Sequence, residues 1–226
     1  MTKHSIAIFS LCLFLTQATV HAQKISRGRG VVLFLEGSHW EQKNFNKVLN
    51  NLNLPATSSF LFGGGVGTFW RFHNSEIGVE GQFGVGRRSG ASDRITQALG
   101  LFNIGYKHHI NFRTGSFYPL AGIGFNGIKT EITQRNGPTN ITTALITRNT
   151  TTLFNRQGFA VLGLGVHLFE SQRKAGFYVI ETGYRLGFSA TPWSTDQESG
   201  NYMTNSVTDE LRQFYLKLGI GILRRR

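Results

Sequence analysis

The sequence predicts an all-β fold: an eight-stranded antiparallel up-and-down transmembrane β-barrel over residues 23–226, preceded by a cleaved segment, residues 1–22. Three observations carry this reading. Beyond Gln23, apolar residues alternate with small or polar ones in blocks, the period-2 signature of strands. The connections between blocks run long, short, long, short, long, short, long, as in barrels with tight turns at one end and loops at the other. No run of the 226 residues supplies the eighteen or so uninterrupted apolar side chains that a membrane-spanning helix requires.

The elements follow in order. Residues 1–22 carry a basic start (Lys3, His4), an apolar run from Ile6 to Leu15 and a small-residue cleavage region with Val20 and Ala22 before Gln23, which is the pattern of a secretory signal. The single Cys, Cys12, lies inside it behind Leu11, where a lipoprotein signal would have a small residue; the mature chain is therefore Cys-free. Strands are predicted over 30–40, 58–72, 76–88, 96–110, 117–132, 156–170, 175–190 and 210–223. The stretches 41–57, 133–155 and 191–209 are read as long polar loops, with a shorter one at 89–93. Tight turns fall at 73–75, 111–116 and 171–174.

One face of each strand is apolar. Phe60, Phe62, Val66, Trp70 and Phe72 share a parity opposite Gly63, Gly65, Gly67 and Arg71, and Phe214 to Ile222 alternate likewise with Tyr215, Lys217, Gly219 and Gly221. The apolar faces are expected to meet lipid. Parity then sends Glu36, Glu80, Glu181, Arg71, Lys107, Arg185, Lys217 and His167 into a narrow lumen, where opposite charges should pair because an unpaired one is costly. The inward glycines are expected to make room for those charges. Leu99, Leu101, Phe102 and Ile104 break the alternation, which leaves two explanations: a bulge or a partly apolar lumen. Two aromatic belts are expected, with Trp70, Phe72, Phe117 and Tyr178 at the short-turn end and Trp40, Phe188, Trp193 and Phe214 at the long-loop end. A basic periplasmic rim is expected from Arg27, Arg29, Arg113, Arg173, Lys174, Arg224, Arg225 and Arg226.

Charged residues are only 16% of the chain, yet its net charge is +12. Nucleic acid is excluded as a partner, since the basic residues flank a membrane band and line no aromatic-studded groove. No chemistry-bearing motif stands out. His39, His73, His108, His109 and His167 show no metal-ligand spacing, no G-x-S-x-G elbow occurs, and Gly63 to Gly67 is strand glycine, so no cofactor and no catalytic residue is assigned. Ser38 and His39 are the nearest approach to a hydrolytic pair, but adjacent strand residues point to opposite faces.

The Gly-aromatic strands around residues 60–72, 117–125, 159–169, 177–188 and 214–223 make the mature chain resemble the small OmpA/OmpX-like outer-membrane β-barrel proteins, especially the barrel-domain family common in Bacteroidota. The resemblance implies the outer membrane of a Gram-negative bacterium, with outer-membrane lipid including lipopolysaccharide and the barrel-insertion machinery as partners. It implies a non-enzymatic barrel whose external loops serve binding, adhesion or envelope structure, with an extracellular ligand or a periplasmic protein as further partner. The alternatives are a narrow porin-like pore, a secretion-accessory barrel and a lipid A-modifying enzyme. One departure stands: such barrels commonly end in an aromatic residue, and here the sequence reads Leu223-Arg224-Arg225-Arg226.

Overall fold

A computed structural model describes residues 27–90, 93–134, 150–169, 176–190, 192–194 and 207–225. The expected signal segment, residues 1–22, with Arg173, Lys174, Arg226 and most of residues 133–155 and 191–209, lies outside the described residues.

The wall consists of β1 (Gly28–Trp40), β2 (Phe60–Phe72), β3 (Ser75–Ser89), β4 (Asp93–His108), β5 (Ile110–Phe112), β6 (Gly115–Gln134), β7 (Thr150–Leu168), β8 (Gly176–Ala190) and β9 (Arg212–Arg225), with one helix, α1 (Lys43–Asn51), between β1 and β2. Every pairing is antiparallel, and the sheet closes because β1 pairs β9 while β4 pairs β6. The three-residue β5 continues β4 along the same partner beyond a break at His109, so the barrel has eight wall strands. Closure removes the free edges that an open sheet would expose.

Alternation decides which way each wall residue faces. Phe62, Val66, Ile77, Phe83, Leu162, Leu164, Ile180, Leu218 and Ile220 are exposed on the outside. A soluble protein rarely exposes so continuous an apolar surface, whereas a barrel in lipid must. Among the described residues no helix is long and apolar enough to cross a membrane, so any crossing is made by strands.

The irregular fourth strand has a simple explanation. β4 pairs with β3 and with β6 in unbroken register, so it contains no bulge. Leu99 and Leu101 face inward at 1% and 5% exposure, while Phe102 and Ile104 face outward at 38% and 46%. The lumen is therefore partly apolar. The register does slip between β7 and β8 at Gly158/Phe159, where Phe188 is the extra residue and its ring lies over Gly158.

Three further details differ from the sequence reading. The 41–57 stretch is not all loop: Phe45 and Leu49, four apart on α1, bury one helix face in the mouth of the barrel. β6 and β7 extend beyond their expected ends, as Thr130 and Thr133 pair with Leu153 and Thr150 and carry that hairpin outward. Several inward glycines accommodate rings where charges were expected. A methyl group on Gly30 would overlap the Phe69 ring, on Gly165 the Tyr118 ring and on Gly221 the Phe177 ring; each glycine is the direct cross-strand partner of its aromatic. Gly67 instead lies against the Glu80 side chain, and Gly28 and Gly86 lie against leucines.

The β2–β3 turn has only His73 and Asn74 between the paired Phe72 and Ser75. Such a turn needs a positive φ, and His73 supplies it at 58°.

Candidate functional site

The lumen has four tiers. At the mouth lies an apolar plug in which Phe45 of α1 stacks on Trp193 at 4.3 Å between ring centroids. Trp40, Leu61, Ile95, Leu99, Ile128, Leu153, Phe159 and Leu211 surround them. The plug is pinned at the helix start and again within its first half. Asp209 accepts from Asn44 N (2.9 Å) and Phe45 N (2.8 Å), so a carboxylate from beside β9 caps the helix start, where no local side chain does. Asn46 Oδ1 in turn accepts from Thr57 N and Oγ1. Replacing Asp209 by Ala should cost about 1 kcal/mol of stability, the usual value of a lost cap, and should raise proteolysis between residues 41 and 57; unchanged protease resistance would refute the clamp.

Below the plug, β1, β8 and β9 bring together Glu36, Arg185 and Gln213. Arg185 donates to both Glu36 oxygens at 2.6 and 2.7 Å and to Gln213 Oε1 at 2.8 Å, with its guanidinium 4.2 Å from the centre of the Tyr215 ring. Gln82 donates to Glu36 Oε1 at 2.8 Å, and Gln213 donates to Ser38 Oγ at 2.9 Å.

The centre is a four-membered charge cluster. Glu181 accepts from Lys217 Nζ at 2.8 Å and lies 3.0 Å from Lys107 Nζ, and it also takes the hydroxyl hydrogen bonds of Tyr118 (3.1 Å) and Tyr215 (3.2 Å). Glu80 pairs with Lys217 and, at 3.4 Å, with Lys107. All four are buried.

Toward the short-turn end, Arg71 donates to Glu76 Oε2 from Nε (3.1 Å) and from its terminal nitrogen (2.6 Å) across the β2–β3 register. The same guanidinium lies 2.9 Å from His167 Nδ1. A guanidinium can only donate, so His167 accepts there and carries its proton on Nε2. His109 places Nε2 3.2 Å from Glu76 and Nδ1 2.8 Å from Ser116 Oγ.

These tiers place every lumen residue that parity singles out. Glu36, Glu80, Glu181, Arg71, Lys107, Arg185, Lys217 and His167 are all buried inside. Sequence reasoning missed Glu76, which shares the parity of Glu80, and His109, which shares the parity of Lys107. It also read the histidines as scattered. Instead, Glu76, His109 and His167 hold one ligand atom each within 4.8 Å of one another. Arg71 already occupies the Glu76 and His167 acceptors, which makes this a hydrogen-bonded ion-pair tier. Four carboxylates, Glu36, Glu76, Glu80 and Glu181, thus face four cations, Arg71, Lys107, Arg185 and Lys217. Among the described residues, two voids beside the central cluster are each of about 10 Å³, room for about one water.

The belts need correction at two positions. Trp40 and Trp193, expected at the lipid interface, are each only 2% exposed and belong to the plug. Phe72 and Tyr178 at one end and Phe188 and Phe214 at the other do face outward, with Trp70 and Phe117 half-buried. Arg27, Arg29, Arg113 and Arg224 are exposed; Arg225 ends β9. Ser38 lies inside and His39 outside, so they form no dyad.

Outside the mouth, His39, Glu41, Lys43, Asp209, Glu210 and Arg212 line a polar groove of about 560 Å³. Apart from the buried Asp209, its charges are exposed, with Lys43 3.6 Å from Glu41 and Arg212 3.1 Å from Glu210.

No family model and no curated protein matches the chain. Among solved structures, it is similar to Neisserial surface protein A (NspA) at 8% identity, covering 86% of this chain and 96% of that one, with a TM-score of 0.53. It has the fold of a small outer-membrane β-barrel. The barrel also resembles the attachment invasion locus protein Ail of Yersinia pestis (15% identity, 88% and 100% of the two chains, TM-score 0.48) and the N-terminal β-barrel domain of Pseudomonas aeruginosa OprF (12%, 87% and 99%, 0.39). At these identities the likeness concerns fold alone, and NspA carries it.

Proposed function

We propose that this chain is a non-enzymatic, non-conducting barrel of a Gram-negative outer membrane, whose long-loop end binds an extracellular ligand or surface. The filled lumen is the observation that carries the reading. Four acids are matched by four bases, an apolar plug closes the mouth, and two voids beside the central cluster are about 10 Å³ each. With the interior committed to holding the wall together, function falls to the ends. Loops on a rigid scaffold are where binding residues collect, and the polar groove between α1 and β9 is built on such a scaffold. The Gly-aromatic strands support an OmpA/OmpX-like affiliation, Bacteroidota included, on sequence pattern alone.

Planar-bilayer recording of the purified, refolded protein tests the closed lumen. Conductance should stay at the bare-bilayer level. Discrete steps that shift when Glu181 or Arg185 is replaced would favour the narrow pore and overturn this reading.

A further inference from the structure

We infer that the outer wall at the short-turn end carries a binding site for an anionic phospholipid of the adjoining leaflet, with its phosphate held between Arg29 and Arg224. The inference rests on the membrane reading above. Arg29 and Arg224 are direct partners in the β1–β9 ladder, both on the outer face and both exposed. Like charges directly opposite one another destabilise a sheet, and among the described residues neither arginine forms an ion pair that would relieve it. A phosphodiester satisfies both, because each guanidinium presents a fork of donors matched to phosphate oxygens. Arg27, two residues before Arg29, is also exposed and adds to the field.

The apolar half of the site lies immediately toward the membrane centre. Val31 pairs with Ile222 and Leu33 with Ile220, and these outward side chains, with Tyr178 and Phe169, line a groove of about 590 Å³. That volume falls in the range of small-molecule sites. The groove exists because Gly176, the β8 partner of Ile222, faces outward and the space beyond its α-carbon is open. A paired cationic clamp at headgroup level above a slot for one acyl chain is the shape of a lipid with an anionic head. The position also chooses the leaflet. Both arginines lie at the end with the two-residue His73-Asn74 and Arg113-Thr114 turns, opposite the long loops, which puts them on the periplasmic leaflet and away from lipopolysaccharide.

Native mass spectrometry of the intact barrel in micelles doped with phosphatidylglycerol or phosphatidylcholine of identical chains tests this. Wild type should retain phosphatidylglycerol over phosphatidylcholine by about tenfold or more. R29Q/R224Q should abolish the preference, and G176L should reduce retention of both lipids by filling the groove. Heat-modifiable migration on a denaturing gel checks that each variant is a closed barrel; if the double variant fails it, the single R224Q, with one guanidinium left, should still lose most of the preference. An unchanged lipid ratio in folded R29Q/R224Q or R224Q would overturn the site. Glycerophosphate competing as well as the lipid, with G176L without effect, would reduce it to a simple anion site and overturn the lipid assignment. Recovery of the wild type from the soluble fraction, with no heat-modifiable form, would instead count against the membrane reading itself.

Discussion

Replacing Glu181 by Ala should destabilise the barrel by about 3–5 kcal/mol, the cost of leaving buried charges without their partner. Glu181 is the hub of the central tier, contacted by Lys107, Lys217, Tyr118 and Tyr215. Without it, two buried ammonium groups share Glu80, with Glu76 a distant 3.9 Å from Lys107. Because folded domains are stable by only about 5–15 kcal/mol, a loss of this size should be visible as a lower urea midpoint and as a heat-modifiable band that disappears at lower temperature. Glu181→Gln should be milder, since the amide oxygen can still accept from a tyrosine or a lysine. Removing Lys217 together with Glu181, as E181Q/K217M, should recover part of the loss, because it leaves Lys107 and Glu80 to neutralise each other. A midpoint in E181A within error of wild type would show that the cluster is wet and screened, contrary to its burial.

The second large effect concerns the ring-covered glycines. Gly221→Ala should cost about 1–3 kcal/mol or more, because the new methyl group overlaps the Phe177 ring, which is packed among Val32, Phe69 and Val179. Phe177→Leu alone should cost roughly 1–2 kcal/mol by opening a cavity of modest size. The two changes should not add: with the ring gone the methyl fits, so the double variant should be more stable than the sum by about 1 kcal/mol or more, the range seen for residues in contact. Strict additivity in urea unfolding would mean that the ring does not rest on Gly221. This separates two roles for inward glycine, space for a charge, as at Gly67, and space for a ring, as at Gly30, Gly165 and Gly221.

Much of the wall was legible because side-chain facing in a strand is a local property. Parity alone sends Phe62, Leu164 and Ile220 outward and Glu36, Arg185 and Lys217 inward, whatever the strands pair with. The same parity contained the correct answer for Trp40, which shares its face with Glu36 and Ser38 and is plug, not belt. Reading it as a belt residue put a preference of the residue type ahead of its position. Glu76 was legible in the same way, two residues before Glu80. α1 left a readable trace too, since Phe45, Val48, Leu49 and Leu52 stand at the i, i+3, i+4, i+7 spacing of a helix face in a polar stretch.

What the tertiary structure alone decided is who meets whom inside. Glu36 stands directly opposite Lys217 in the β1–β9 ladder yet bonds to Arg185 one strand further on, while Lys217 turns to Glu80 and Glu181. Asp209 reaches a helix start 164 residues earlier. His109 and His167 come within 5.0 Å between ring centroids because the strands that carry them flank β6 on either side. Alternation is set by the pleat of each strand, over two residues, and can be read from the chain one strand at a time. Pairing inside a closed tube is set by stagger, by the length of each side chain and by the cost of any charge left over, and these depend on all eight strands at once.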